Sequence, residues 1–442
     1  MPTYRSQLFT LFSLLLLSWS MTVVLGPLVS IIAKNFGVAN ETDIGNISAI
    51  FLLVGGLLAF VWVAIEDTLS KKFHSSRKIL LIFATAIWVG GLFLTSLAQT
   101  YEQLLTYQIL TAIGYSAITP LAYSLAMDFS SPESRAKIFG LLDVAASIGV
   151  GVGFLLSGVL ASFTLWNTPY ITIAAFGLIL LGALLNLEEP TKGVQERELA
   201  PRFTHEGSYG FHVTSKSLSL MLKKKSNLLI ILFNILLYII SGSISYYFIR
   251  MLVNDHGFAP PFATLFFLAT FSSQVVGTLF WTRRADKKYA RKKNGKIKVL
   301  FEGLLLGPLF LIAAYSLTFM ISNSLLLGLF AILMILGTFF ISGLIAISFA
   351  TLGEINPPEL WAPIFSVNNL AQTLGRGIGI AVMGMLFMGY GGIYQWGFAL
   401  MESLSFVSII FLLPLLSSIP HDLITLSLLL QRRAMVPNRL GQ

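Results

Sequence analysis

Along the chain, long apolar runs alternate with short polar links. The runs cover about residues 8–33, 44–65, 79–98, 103–127, 138–163, 168–187, 226–250, 259–282, 299–320, 325–350, 364–389 and 394–417. A helix rising about 1.5 Å per residue needs about 20 apolar residues to cross a hydrocarbon layer about 30 Å thick. The pattern therefore predicts an all-α integral membrane protein with twelve transmembrane helices, here spans 1 to 12. One short sequence also occurs twice: Pro132-Glu133-x-x-Ala136-x-Ile138-Phe139 returns as Pro358-Glu359-x-x-Ala362-x-Ile364-Phe365, 226 positions later. Each copy follows the fourth run of its half, as in a duplicated six-helix unit. The expected organisation is a six-helix bundle over 1–187, a linker over 188–225, a second bundle over 226–417 and a tail over 418–442.

Composition agrees, with 55% hydrophobic and only 11% charged residues, too apolar for a soluble domain of this length. The formal charge of +9 is concentrated in alternate links: Lys71, Lys72, Arg77 and Lys78; Arg135 and Lys137; Lys223, Lys224 and Lys225; and the run from Arg283 to Lys298. Basic loops stay on the cytoplasmic side, so the charge predicts a multi-pass cell-membrane protein with both termini cytoplasmic, not a nucleic-acid binder. Residues 215–225 and the tail around Ile424 to Arg433 each read as amphipathic segments lying on the membrane surface.

Polar side chains inside spans mark faces that look at protein or water. Thr22 lies in span 1, Gln108, Tyr115 and Thr119 in span 4, Asn234, Tyr238 and Ser241 in span 7, and Asn368, Gln372 and Arg376 in span 11. Steps of three or four put each set on one helix face. They are the candidate substrate-binding residues, lining a cavity between the bundles. Arg376 is the sharpest, because a mid-span arginine costs at least several kcal/mol unless an acid, water or an anionic ligand meets it. Glu402 on span 12 is a possible partner, which leaves a structural pair and a substrate role both open. Asp143 and Glu302 sit within the first turns of their spans, where solvent or a basic link would compensate them. The histidines His74, His205, His212, His256 and His421 are all expected outside the spans.

Glycines recur at the same offset: Gly149, Gly151 and Gly153 in span 5, and Gly375, Gly377 and Gly379 in span 11. Small residues let helices approach closely, so these spans are expected to meet across the interface between the bundles and slide there. Gly149, Gly153, Gly375 and Gly379 are therefore candidate gating positions. No phosphate loop, zinc-helix motif or nucleophile elbow is present, and Cys is absent. No enzyme site, metal site or cofactor is implied.

Spans 1 and 2 carry Val24-Leu25-Gly26-Pro27-Leu28 and Ile44-Gly45-x-x-Ser48-Ala49-Ile50-Phe51. Span 4 carries Gly114-x-Ser116-Ala117-x-Thr119-Pro120, followed by Ser131-Pro132-Glu133-x-Arg135-Ala136, and Glu189-Pro190-x-Lys192-Gly193 closes the first half. In this order the motifs resemble the major facilitator superfamily over essentially the whole chain, with the Spinster-like branch nearest. The resemblance implies two bundles rocking about a central site. It also implies a latch between the bundles near the start of span 11, at Asp67 with Glu66 beside it. Trp281 falls at the matching acid position of the second half, so the latch is expected on one side only. The charges typical of the branch fall at Met21, Thr22, Gln108 and Tyr115, which carry none, and proton coupling is therefore not expected.

The expected function is a monomeric secondary transporter moving a small organic, amphipathic or anionic solute by alternating access, among membrane lipids and without nucleic acid. The alternative is a membrane sensor or assembly partner that kept the scaffold without transporting.

Overall fold

The structure is a computed structural model that describes residues 4–38, 41–73, 75–160, 165–205 and 209–435. His74 and Gly207 lie outside the described residues. Among the described residues every regular element is helical, and twelve helices are long and apolar enough to cross a membrane. They are Arg5–Phe36, Asp43–Ser70, Ser76–Ser96, Tyr101–Phe129, Arg135–Gly158, Thr168–Leu185, Lys225–His256, Pro260–Arg291, Gly295–Tyr315, Ser324–Glu354, Pro358–Gly389 and Tyr394–Leu412. Spans 1 and 7 outrun the lengths expected and stop at Gly37 (φ 65°) and Gly257 (φ 73°), whose left-handed backbone turns the amide back onto the last carbonyls. His256, expected outside the spans, is instead the last residue of span 7. It is buried, with Nδ1 2.9 Å from the Phe319 carbonyl oxygen and its ring stacked on Phe319.

Spans 4 and 10 break at residues that disfavour a continued helix, and span 8 divides at Ser272 into Pro260–Phe271 and Ser273–Arg291. Span 4 divides into Tyr101–Tyr115 and Ile118–Phe129, just before Pro120, which has no N–H to give Ser116. Span 10 divides into Ser324–Ile341 and Leu344–Glu354 at Gly343, φ 75°. The Phe339 carbonyl near this break accepts from Ser342 Oγ (2.7 Å) and from Trp281 Nε1 (2.9 Å). Trp281 thus does packing work at a kink rather than filling a latch position.

The same packing recurs in both halves. Span 1 lies on span 5 as span 7 lies on span 11; span 3 meets 4 and 6 as span 9 meets 10 and 12. The paired glycines explain the first match and correct the sequence expectation. A Cβ at Gly149 or Gly153 would collide with the carbonyls of Leu16 or Ser20 on span 1, and one at Gly375 or Gly379 with span 7 at Tyr238 or Ile239. These glycines fasten helices within each half. They are not the sliding surface between halves, because the faces they occupy are already filled by backbone. Between halves, span 2 meets 11 and span 5 meets 8, and the second segments of spans 4 and 10 pack on spans 11 and 5.

The linker and tail cover the face that carries the basic links, hereafter the basic face. Arg77, 1% exposed, donates to Asp128 (2.6 Å) and Glu189 (2.7 Å), and Asp128 also accepts from the Gly193 amide (2.6 Å). Further on, Glu196 pairs with Arg135 (2.5 Å), and Asp67 accepts from the Val213 amide (2.8 Å). The tail, expected on the membrane surface, forms the helix Leu415–Ala434 and presses Leu426 and Leu430 onto linker residues Leu199 and Tyr209. Arg433 completes the contact by a two-pronged bond to Glu359 (2.8 and 2.9 Å) and a bond to the Tyr209 hydroxyl (2.5 Å). Burial, with Glu359 beside it, pushes the Tyr209 hydroxyl well above its ordinary range, so it stays a neutral donor to that carboxylate.

Candidate functional site

Between the halves lies a small cavity lined by Trp19, Leu52, Gly56, Tyr115, Asn369, Gln372, Thr373 and Arg376. Its span 11 residues 369, 372, 373 and 376 follow steps of three and four, one helical face. The Arg376 guanidinium stands over the Trp19 ring, 4.7 Å from its centroid, a cation–π contact that offsets part of the cost of burial. Gly242 on span 7 leaves room for the Arg376 backbone, where any Cβ would clash. Arg376 Nε is buried and has no hydrogen-bond partner among the described residues.

Glu402 does not pair with Arg376. It is 1% exposed, takes one bond from Ser405 (3.0 Å), and its other oxygen is buried without a partner. The groups in electrostatic reach of Arg376 are Tyr115, Tyr238 and Asp143. Asp143, expected at the solvent end of span 5, is instead half-buried and within electrostatic reach of Arg376. It lies eight positions after Arg135, about 12 Å along the helix, and the linker and tail thicken the protein beyond the helix end. Glu302, by contrast, pairs with Arg284 (2.7 Å) and Lys288 of the basic link, as expected.

Of the other candidate binding residues, Tyr115 and Gln372 line the cavity with Arg376. Asn368, Asn234 and Tyr238 form a layer behind it. Asn234 donates to Asn368 (2.8 Å) and accepts from Ser348 (2.7 Å), and Tyr238 lies against Asn368. This layer braces spans 7, 10 and 11 and supports the cavity wall. Gln108 turns away, its amide 3.4 Å from Thr95 Oγ1 on span 3, because it sits on the face of span 4 that packs there. Thr22 donates to the Trp19 carbonyl (2.7 Å), Thr119 is 4% exposed at the span 4 break, and Ser241 is partly buried with its carbonyl accepting from Ser245. None of these four lines the cavity. Of the cavity lining, sequence reasoning missed Trp19, Leu52, Gly56, Asn369 and Thr373. The helical period through Gln372 and Arg376 points to 369 and 373, and the 226-residue offset then carries Asn369 back to Asp143.

Toward the basic face the cavity is closed by Tyr123 and Phe139 of the first half against Phe349 and Phe365 of the second. Ring centroids in this group lie 4.9 to 5.9 Å apart. Below the plug, Asp286 at the end of span 8 accepts from the backbone amides of Ala136 (3.1 Å) and Lys137 (2.8 Å) at the start of span 5. A carboxylate on the first amides of a helix satisfies orphan donors and meets the positive end of the helix dipole. Lys296 bridges Asp286 (3.5 Å) to Glu354, and Arg135 lies over the Trp361 ring (5.6 Å).

This corrects the latch in both halves. The second half does have an acid, Asp286, five positions after Trp281. The repeat-mate of Lys137 is Pro363, which has no amide to donate, and Asp67 is spent on the linker, at Val213 and at His212 (4.0 Å), and on Lys71 (3.5 Å) four residues further along its own segment. Glu66 likewise pairs with Lys192 (2.9 Å) and accepts from Ser76 (3.2 Å).

Comparison with known proteins agrees with this architecture. Residues 8–321 match the Major Facilitator Superfamily. The chain is 24% identical over 176 residues to the uncharacterized MFS-type transporter YceJ of Bacillus subtilis, covering 40% of this chain and 43% of that protein. It is 28% identical over 172 residues to Multidrug resistance protein 3 of the same organism, covering 36% and 33%. These matches span less than half of either relative. Among solved structures, the MFS transporter FucP in its outward conformation superposes with a TM-score of 0.69 at 18% identity, covering 92% of this chain and 99% of FucP. The human organic anion transporter MFSD10 does so with 0.65 at 16%, covering 93% and 100%. A segmented twelve-helix fold with a cavity between its halves, and a family match over more than two thirds of its length, establish that the chain belongs to the major facilitator superfamily, whose members are transporters and not enzymes.

Proposed function

We propose that the protein is a secondary transporter of a small amphipathic organic anion, working by alternating access between two bundles, 1–187 and 226–417, joined by the linker 188–225. The observation that carries the reading is Arg376: a cation in the central cavity, resting on Trp19, with its Nε unbonded and no hydrogen-bonded acid. A carboxylate or similar head group would supply the missing partner, and Trp19, Leu52 and Tyr115 would take an apolar body. The names of Multidrug resistance protein 3 and of the organic anion transporter MFSD10 fit such a substrate. The basic links support a cell-membrane orientation with both termini cytoplasmic, which makes this a state closed on the cytoplasmic side. The loose motif likeness supports the Spinster-like branch, and we read the working unit as one chain.

The acids and arginines typical of that branch are absent from spans 1 and 4, so we read the cycle as not requiring a proton gradient. Purified protein in sealed vesicles tests both points. Wild type should move an amphipathic organic anion with or without a pH gradient. Arg376→Ala should lose that transport while staying folded, and Arg376→Lys should keep part of it. Loss of folding in Arg376→Ala would make the arginine structural. Strict dependence on the gradient would overturn the uncoupled reading and direct attention to Asp143.

A further inference from the structure

We propose that the short helix Ser215–Lys223 is a docking surface for anionic phospholipid of the leaflet on the basic face. The helix is built to persist despite its length. Thr214 accepts from the Ser217 amide (3.1 Å) while Ser217 Oγ accepts from the Thr214 amide (2.9 Å), a reciprocal cap. Yet it buries only Met221 against the protein. Leu218 and Leu222, one turn apart and 36% and 43% exposed, form an apolar face that would be costly in water, while Leu220, 62% exposed, lies on the opposite side with Lys216 and Lys223.

What covers that face follows from its continuity. Span 7 begins directly after Lys224, and its own exposed residues Leu228 and Leu232, 46% and 43%, belong to the lipid-facing side of a membrane helix. The short helix is thus joined directly to a lipid-facing span through Lys223-Lys224-Lys225. Lys216, Lys223 and Lys225 are exposed along the same stretch and form no ion pair among the described residues. Apolar residues interleaved with unpaired lysines at the end of a span suit the acyl–headgroup boundary of an anionic leaflet, where lysines reach the phosphates.

The helix is also tied to the gate. Lys224 donates to the Ile355 carbonyl (2.5 Å) and pairs with Asp422 of the tail helix (3.6 Å). Asn227 and Asn356 exchange two side-chain bonds (3.0 and 2.8 Å). Residues 355 and 356 directly follow Glu354 of the Lys296–Asp286 group. A leaflet that holds this helix thereby holds the inner end of span 10 in the closed arrangement.

The test uses full-length protein in vesicles of equal phosphatidylcholine and phosphatidylglycerol, followed by mass spectrometry of the lipids that remain bound. Wild type should retain phosphatidylglycerol preferentially. The Lys216→Gln/Lys223→Gln/Lys225→Gln variant should lose that preference, by up to roughly fivefold per lysine. A control that removes the same charge from the link between spans 8 and 9, Lys287→Gln/Arg291→Gln/Lys292→Gln, should keep it. Preference unchanged in the first variant, or lost equally in the control, overturns the proposal. So does displacement of the lipid by soluble glycerophosphate, which would indicate a site for a free anion.

Discussion

Replacing Asp286 by Asn should open the basic face, and the structure sets the size of the effect. The carboxylate holds two backbone amides of span 5, at 3.1 and 2.8 Å, one on each oxygen. A hydrogen bond to a charged group contributes about 1.5–3 kcal/mol, and the charge at a helix N-terminus adds about 0.3–1 kcal/mol. Asn keeps one acceptor oxygen and loses the other together with the charge. Relief of the carboxylate's desolvation offsets part of this, since Asp286 is 7% exposed. The net loss is about 2 kcal/mol, roughly a 30-fold shift toward the opened state. The absence of Cys makes the measurement direct. A cysteine placed by Ser366→Cys is buried in the closed state, where the native hydroxyl lies 3.5 Å from the Ala59 carbonyl across the interface. Its labelling rate by an impermeant maleimide from the basic face reports the opened population. Asp286→Asn should raise that rate roughly 30-fold. A rate within about twofold of the parent, in a protein that is still folded, refutes Asp286 as the latch.

Three further outcomes are expected. Gly149→Val and Gly379→Val should each cost about 1–3 kcal/mol and lower the melting temperature, because both would strike a helix carbonyl, whereas Gly377→Ala, with nothing within 4 Å, should stay within about 0.5 kcal/mol. Arg433→Gln leaves Glu359, 3% exposed, without its cation, and should free the tail and linker at a cost of about 3 kcal/mol; limited proteolysis should show faster cutting there, with Arg432→Gln as the unaffected control. Burial holds His212 below its ordinary 6.5, so the neutral form belongs to the bound linker; the hold is complete at higher pH and weakens as pH falls below about 6.5, and exchange at the Val213 amide, corrected for intrinsic rate, should show this and lose it in His212→Gln.

The apolar runs and the duplicated Pro-Glu motif made the twelve-helix fold legible, because membrane crossing imposes length and composition directly on the sequence. The site was legible at Arg376, Gln372 and Tyr115, where polarity in a span had to be compensated. It was not legible at Trp19, since an aromatic residue in an apolar run gives no sign of facing a cavity. The partners of the glycines were hidden for a different reason. A small residue announces a close approach but not which helix approaches, and span 5 had two candidates, span 1 within its half and span 8 across. The latch was misplaced because its acid lies beyond the aligned position, and because whether a backbone amide is available, as at Lys137, or missing, as at Pro363, matters more than the acid.

The linker does more than join two bundles. It is fixed to the first half at Gly193 and again at Val213, while between those points Leu199 and Tyr209 are fixed to the tail and to Glu359 of the second. The chain is laced across the interface rather than strung over it. From Tyr209 to Val213 there are four residue steps, which stretch to about 14 Å at most. That reach is a mechanical stop on how far the halves can part on this face. A wider opening must first undo either the Tyr209–Glu359 or the Val213–Asp67 attachment.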